Sequence, residues 1–281
     1  MNKAIRKLYY ALTKPGRVAV LDYPVDPLPL YSPETHPHRQ LFEMISKGNA
    51  QFQALAARSL RHREIFEKIT VTTEDSHLPS WQNNFLPPVD TIMLYTILAA
   101  YQPKKYLEIG SGNSTKLTAF CRKQENLGVT ITCIDPHPRR EIQDVADAWI
   151  SSPIQTVSLD YFASLQENDI VFLDGSHVLH PNSDVMWFFM EILPVIPKGV
   201  IIHIHDIFLP YDYPQWVCDR FFNEQYIFAA CLLNSDHFNI ISPNYYILTE
   251  KIAKDVWSQL WQLPALAPLK KHGRSCWFSK T

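Results

Sequence analysis

His203, His205 and Asp206 close the run GVIIHIHD, residues 199–206, whose side chains from Val200 to Ile202, and again at Ile204, are branched aliphatics. A run of that texture forms a strand buried on both faces. Imidazoles and carboxylates are costly to bury unless they are hydrogen-bonded or ligate something. They are also the groups that accept a proton near neutral pH or hold a metal ion. A second set, Asp174 and His177 in the quartet DGSH, follows the apolar run at residues 170–173. If both runs are neighbouring strands, Asp174, His177, His205 and Asp206 converge at the rim where open α/β sheets bind ligands.

The elements that must position these residues are legible as texture. From Lys105 onward, KYLEIG, VTITCID, IQTVSL, DIVFLDG and GVIIHIHD alternate with helix-like stretches, which predicts a parallel, doubly wound α/β sheet. Upstream, residues 18–38 carry five prolines and read as an extended surface arm. Leu41, Ile45, Phe52, Leu55, Leu60, Ile65, Phe66 and Ile69 then recur at roughly helical spacing, as one broken helix or two short ones. The division expected is an arm and helical cap over residues 1–80 and a sheet domain over 81–281. Such a cap either covers the cleft or forms a homodimer contact.

Composition narrows the partners. Lys and Arg total 26 against 28 Asp and Glu, so the formal charge of -2 offers no footprint for nucleic acid or an anionic membrane. Cys121, Cys133, Cys218, Cys231 and Cys276 are odd in number and contain no C-x-x-C pair, which reads as reduced cysteines of a cytoplasmic protein. The basic N-terminus MNKAIRKLYYALTKPGR has LYYAL as its longest apolar run, far short of the roughly 20 residues of a membrane span. It reads as a short amphipathic helix packed on the protein.

In YLEIGSGNSTKLTAF, residues 106–120, a β-run ends at Glu108, passes Gly110-Ser111-Gly112 and enters a helix that Asn113 or Ser114 can cap. Glycines let backbone approach a ligand closely, and the helix N-terminus offers free N–H groups. A dinucleotide fingerprint needs a third glycine where Thr115 stands, and Glu108 would repel a pyrophosphate. A cationic ligand suits the loop better. Asp135, at the tip of the next strand, is placed to accept hydrogen bonds from both hydroxyls of a ribose.

With these residues the chain resembles the class I S-adenosylmethionine-dependent methyltransferases over about residues 85–250, in the branch with E-I-G-S-G-x-S-T and D-G-S-H motifs. The resemblance implies a Rossmann-like, mostly parallel seven-stranded sheet whose final antiparallel strand is GRSCWFSK, with the helix in FLPPVDTIMLYTILAAYQPKK leading into strand one. It implies that Glu108, Gly110 and Gly112 line the methionine end of S-adenosyl-L-methionine, with Ser111 and Ser114 of the same loop also in its site. Asp135 would hold the ribose, Ser158 and Leu159 would meet the adenine, and Asp174 would lie near the methyl group. Several relatives that methylate hydroxyls hold a divalent metal with an aspartate after strand four and an acidic pair after strand five, here Asp174 with His205 and Asp206, a departure that suits a transition metal better than magnesium. By their own chemistry His177 or His205 could instead serve as a metal-free base with Asp206 or Asp174 orienting it, or the histidines are structural. The segments DIFLPYDYP and NEQY resemble a subgroup sometimes attached to sugar-handling enzymes. The expected activity is O-methylation of a small molecule, a sugar or a phenol.

Two other readings are weighed. H-I-H-D lacks the histidine at Phe208 that an H-x-H-x-D-H hydrolase requires. A fold of this kind also persists in binding modules without chemistry; nicotinamide-dependent oxidoreduction would be betrayed by cofactor preference.

Overall fold

The computed structural model describes residues 22–137 and 144–281, together with Ile5, Tyr9, Leu12 and Thr13. The helix expected in residues 1–17 and the start of the arm otherwise lie outside the described residues. Seven strands form one sheet: β1 Lys105–Ile109, β2 Thr130–Ile134, β3 Ala148–Ile150, β4 Ile170–Leu173, β5 Ile201–Ile204, β6 Phe238–Pro243 and β7 Cys276–Lys280. Their order is β3-β2-β1-β4-β5-β7-β6, parallel except that β7 runs against both β5 and β6. The order reverses between β1 and β4, so their carboxyl ends open a crevice there.

One expected strand is not a strand. In IQTVSL, Ile154–Thr156 forms a single 3₁₀ turn, and the third strand is the shorter Ala148–Ile150. Pro153 lacks the N–H that a continuing ladder needs, so the chain turns there and Ile154 and Val157 are buried from the turn.

The cap comprises α1 Arg39–Ser46, α2 Asn49–Arg58, a 3₁₀ turn Ser59–His62 and α3 Arg63–Lys68. Leu41, Ile45, Phe52, Leu55, Phe66 and Ile69 are buried in the same hydrophobic core as the sheet. The approach helix, α4 Pro88–Tyr101, starts on a proline whose missing N–H costs nothing at that position. Every residue from Pro88 to Leu98 is buried, as expected of a helix apolar on all sides. α5 Asn113–Gln124 crosses from β1 to β2, a helical run at 184–195 crosses from β4 to β5, and α6 Glu224–Leu233 precedes β6. No helix among the described residues is long and apolar enough to cross a membrane.

The described part of the arm is extended and tied to the loop after β5. Leu30 and Tyr31 donate their N–H groups to the Asp212 carboxylate, Asp212 N–H donates to the Tyr31 carbonyl, and His38 N–H donates to the Pro210 carbonyl. His203 belongs to the core. In register between Phe172 and Trp277, it stacks on Phe172 at 3.6 Å between ring centroids and shares a 2.7 Å hydrogen bond with the Ser275 hydroxyl. Burial, with the charge on His205 nearby, holds its pKa well below the ordinary histidine value.

Candidate active site

The turn after β1 is forced by Gly110, at φ +84°, a conformation L side chains rarely adopt. A Cβ there would also stand 2.1 Å from the Asp174 carbonyl oxygen, so Gly110 lets the β1 and β4 ends close together. Gly112 is different: its backbone is extended, and a Cβ would meet nothing within 4 Å. Ser111 donates both N–H and O–H, at 2.9 Å each, to Asp135 Oδ2, while Asp135 Oδ1 accepts from His137 N–H. The carboxylate therefore ties the glycine loop to the end of β2.

Above these strand ends lies a cavity of about 440 Å³, within the range of small-molecule sites. Gly110, Ser111, Asp135, Ile154, Gln155 and Asp174 contribute to its wall, and Asp184 adds a third carboxylate. No Lys or Arg is among its described lining residues. A cationic ligand fits that lining and a pyrophosphate does not. Through Ser111 and Asp174 the cavity adjoins a small hollow that is also walled by Gly112, Asn113 and Ser114 at the N-terminus of α5. Asn113 Nδ2 is buried there without a hydrogen-bond partner. An amide donor beside a helix N-terminus suits a carboxylate. A cation and a carboxylate thus each find matching chemistry in these adjoining spaces.

Three residues expected at the cofactor stand off the cavity walls. Glu108 is fully buried and lines none of the cavities described, because its carboxylate turns inward to the Ser114 and Thr115 hydroxyls, the latter at 2.7 Å. Burial pushes its carboxyl up to about 8 against the pull of those hydroxyls. Ser158 and Leu159 are not on the cavity wall; Pro153, Ile154 and Gln155 are, a consequence of the shorter third strand.

The four acid–base residues do converge. His177 Nε2 lies 3.4 Å from Asp174 Oδ1 and 3.7 Å from Asp206 Oδ2, and His205 Nδ1 lies 3.5 Å from an oxygen of each carboxylate. His177 and Asp206 reach these places through left-handed backbone, at φ 62° and 55°. The expectation that His205 and Asp206 face the mouth is corrected: they are 3% and 7% exposed. Asp174 alone of the four lines a cavity described here, with its side chain 32% exposed. Burial opposes charge on His177, yet Asp174 and Glu224 outweigh it and raise its pKa to about 10. The same contest, won by Asp174, Asp206 and Asp90, lifts His205 well above its usual value. Burial would raise the Asp174 carboxyl, but the two imidazoles hold it well below the carboxylate range. The surrounding carboxylates thus bias both imidazoles toward their charged forms.

Three further members carried only faint sequence signals. Asp90, a lone carboxylate in the first turn of apolar α4, is buried 3.6 Å from His205 Nε2 and accepts N–H groups from Arg274 and Ser275 and the Asn244 amide. Glu224, opening an apolar helix, accepts from His177 Nδ1 at 2.9 Å. Its neighbours complete the NEQ motif: Asn223 accepts the Leu179 N–H and Gln225 accepts the Phe208 N–H, joining the loops after β4 and β5. Arg274, at the entry to β7, places Nε 3.1 Å from Asp206 Oδ1. Among the described residues no group of three or more His, Cys, Asp or Glu is arranged to hold a metal ion.

Comparison with known proteins places this geometry. The family model Methyltransf_24, described as a methyltransferase domain, matches residues 107–207. An uncharacterized protein of Archaeoglobus fulgidus is 32% identical over 94 residues, 31% of this chain and 42% of that protein, so the match spans less than half of the relative's length. Among solved structures, the plantazolicin methyltransferase BpumL in complex with a monoazolic desmethylPZN analog and SAH is 16% identical, with a TM-score of 0.43 over 85% of this chain and 99% of that one. A putative O-methyltransferase from Klebsiella pneumoniae is 12% identical, with a TM-score of 0.38 over 72% and 86%. The family match falls on the strands that carry the glycine loop, Asp135, Asp174 and His205, so this stretch of the chain is similar to a methyltransferase domain, and the observed sheet order is that of a Rossmann-like methyltransferase fold.

Proposed function

We propose that this protein transfers a methyl group from S-adenosylmethionine to an oxygen atom of a small molecule. The observation that carries the reading is the cavity over β1, β2 and β4, which carries three carboxylates and no Lys or Arg among its described lining residues and adjoins a carboxylate-accepting hollow. Bound there, S-adenosylmethionine supplies an electrophilic methyl on a positively charged sulfur. Asp135 holds the ribose hydroxyls, Gly110 and Ser111 bring backbone against the ligand, and Gly112, Asn113 and Ser114 receive its carboxylate.

Asp174 is the catalytic residue of this proposal, because it is the cluster member that reaches the cavity. Its carboxylate accepts a hydrogen bond from the acceptor hydroxyl and orients it for attack on the methyl group; because the two imidazoles hold it well below the carboxylate range, the proton passes on to water as the oxygen is alkylated. His177 and His205, protonated at rest, are positioning residues: they donate to Asp174 from beneath, and Asp206 and Asp90 balance His205. An imidazolium cannot accept a proton, which argues against either histidine as the resting base. The metal alternative on Asp174, His205 and Asp206 is disfavoured because His205 and Arg274 already occupy those carboxylates with positive charge.

Calorimetric titration with S-adenosylhomocysteine tests the reading. Micromolar binding is expected, indifferent to EDTA and weakened about 10- to 100-fold in Asp135→Ala, the loss of one to two charged hydrogen bonds. No binding to the wild-type protein would sink the proposal.

A further inference from the structure

A second cavity, of about 490 Å³, lies between the segment leading into α4 and the segment leading into β7. Trp81, Phe85, Leu86, Pro87, Pro268 and Leu269 give it apolar walls. Lys270, His272 and Arg274 also line it, and no Asp or Glu is among its described lining residues. It shares Phe85 and Leu86 with the small hollow at the N-terminus of α5, and that hollow shares Ser111 and Asp174 with the acidic cavity. The three spaces therefore run in series, with negative lining at one end and positive lining at the other.

Arg274 links this basic end to the cluster. Its Nε faces Asp206 and its main-chain N–H is held by Asp90, while its terminal amines make no hydrogen bond among the described residues. A guanidinium with free terminal donors and apolar walls around it is the arrangement that recognises a planar or tetrahedral oxyanion. Lys270 adds an exposed ammonium on a flexible stem. His272 has Nδ1 engaged with the Lys270 carbonyl, which leaves Nε2 for a ligand. Phe85, 38% exposed, provides ring surface for the body of an aromatic or otherwise apolar molecule, and the buried Trp81 backs the wall behind it.

We propose that the methyl acceptor is an organic acid with an apolar or aromatic body, and that this cavity holds its carboxylate or phosphate against Arg274, Lys270 and His272. The inference rests on the methyl-transfer reading and names the substrate class of that site. It accounts for the opposite lining of the two cavities: the methyl donor is a cation, and an anionic acceptor is drawn to the other end and kept out of the donor's place.

The probes are benzoate, phenyl phosphate and neutral benzyl alcohol, titrated calorimetrically into protein saturated with S-adenosylhomocysteine. At least one acid is expected to bind about tenfold tighter than the alcohol, the equivalent of one charge-assisted contact. Preference for benzoate over phenyl phosphate, or the reverse, tells which oxyanion is read. The double variant Lys270→Gln/His272→Gln, whose changes lie outside the core, keeps its melting temperature and its S-adenosylhomocysteine affinity and loses that preference. Equal binding of acids and alcohol, binding of none of the three, or acid binding unchanged in the variant would each overturn the inference while leaving methyl transfer standing. If wild-type protein fails to bind S-adenosylhomocysteine, the methyl-transfer reading itself falls and the inference with it.

Discussion

Asp90, in the first turn of α4, and His205, at the end of β5, form a fully buried ion pair at 3.6 Å. The approach helix thereby adds a third carboxylate, after Asp174 and Asp206, to those that raise the pKa of His205. The same carboxylate caps the main chain entering β7. One side chain thus holds three elements and one charge.

Asp90→Asn keeps the volume and some of the hydrogen bonds but leaves the His205 charge short of a partner. Breaking a buried pair from one side costs about 3–5 kcal/mol. Urea unfolding is expected to show a loss in that range, with S-adenosylhomocysteine affinity nearly unchanged because Asp90 lines none of the cavities described.

The two loop glycines separate fold from ligand. Gly110→Ala meets both a left-handed backbone and the Asp174 carbonyl, and the backbone term alone costs about 1–2 kcal/mol. It should lower the melting temperature and abolish cofactor binding together. Gly112→Ala has open space, so it should melt like the wild type, yet bind S-adenosylhomocysteine about tenfold more weakly as its methyl group enters the hollow. A Gly112→Ala protein with wild-type affinity would remove the hollow from the cofactor site.

Glu108 makes stability depend on pH. Its folded carboxyl ionises at about 8 against 4.5 when unfolded. A group raised on folding contributes stability that is complete below the unfolded value and lost as pH rises through the folded one. The wild type should therefore weaken between about pH 4.5 and 8. Glu108→Gln, which can still bond Ser114 and Thr115, should remove that slope and be more stable at pH 8.5 by on the order of 5 kcal/mol. Identical melting curves for the two proteins across this range would contradict the buried, protonated carboxyl.

Once an acceptor is found, the pH profile of kcat distinguishes the proton's destination. With Asp174 as hydrogen-bond acceptor and His177 as a charged support, activity should be level across neutral pH and fall as His177 loses its proton near 10. Were His177 the base, activity would instead rise toward that value. Asp174→Asn should abolish turnover and leave S-adenosylhomocysteine binding within about tenfold.

Strand texture made most of this architecture readable in advance, because the parallel core strands are apolar runs ending in turn residues. KYLEI, TITCI, IVFL and IIHI all became strands, and the antiparallel β7 stands where GRSCWFSK is found. IQTVSL misled because a buried turn and a buried strand share the same composition, and only Pro153 marked the difference. Proximity of Asp174, His177, His205 and Asp206 followed from strand order. Their burial did not, since it depends on Asp90, Glu224 and Arg274 arriving from three distant parts of the chain. The single carboxylate in the apolar helix of PPVDTIML and the polar NEQY segment were the only clues to Asp90 and Glu224.

The arm that binds Asp212 also sets a schedule for the chain's birth. Leu30 and its partner are separated by 182 residues. At about 5–20 residues per second, a ribosome needs roughly 10–40 s to deliver that partner after Leu30 emerges. Throughout this interval the arm has nowhere to dock, and Tyr23, Leu28 and Leu30 remain largely exposed even in the finished fold. The five prolines in this stretch keep the waiting segment from pairing with other nascent strands, so the same residues that shape the arm also guard it until its berth is made.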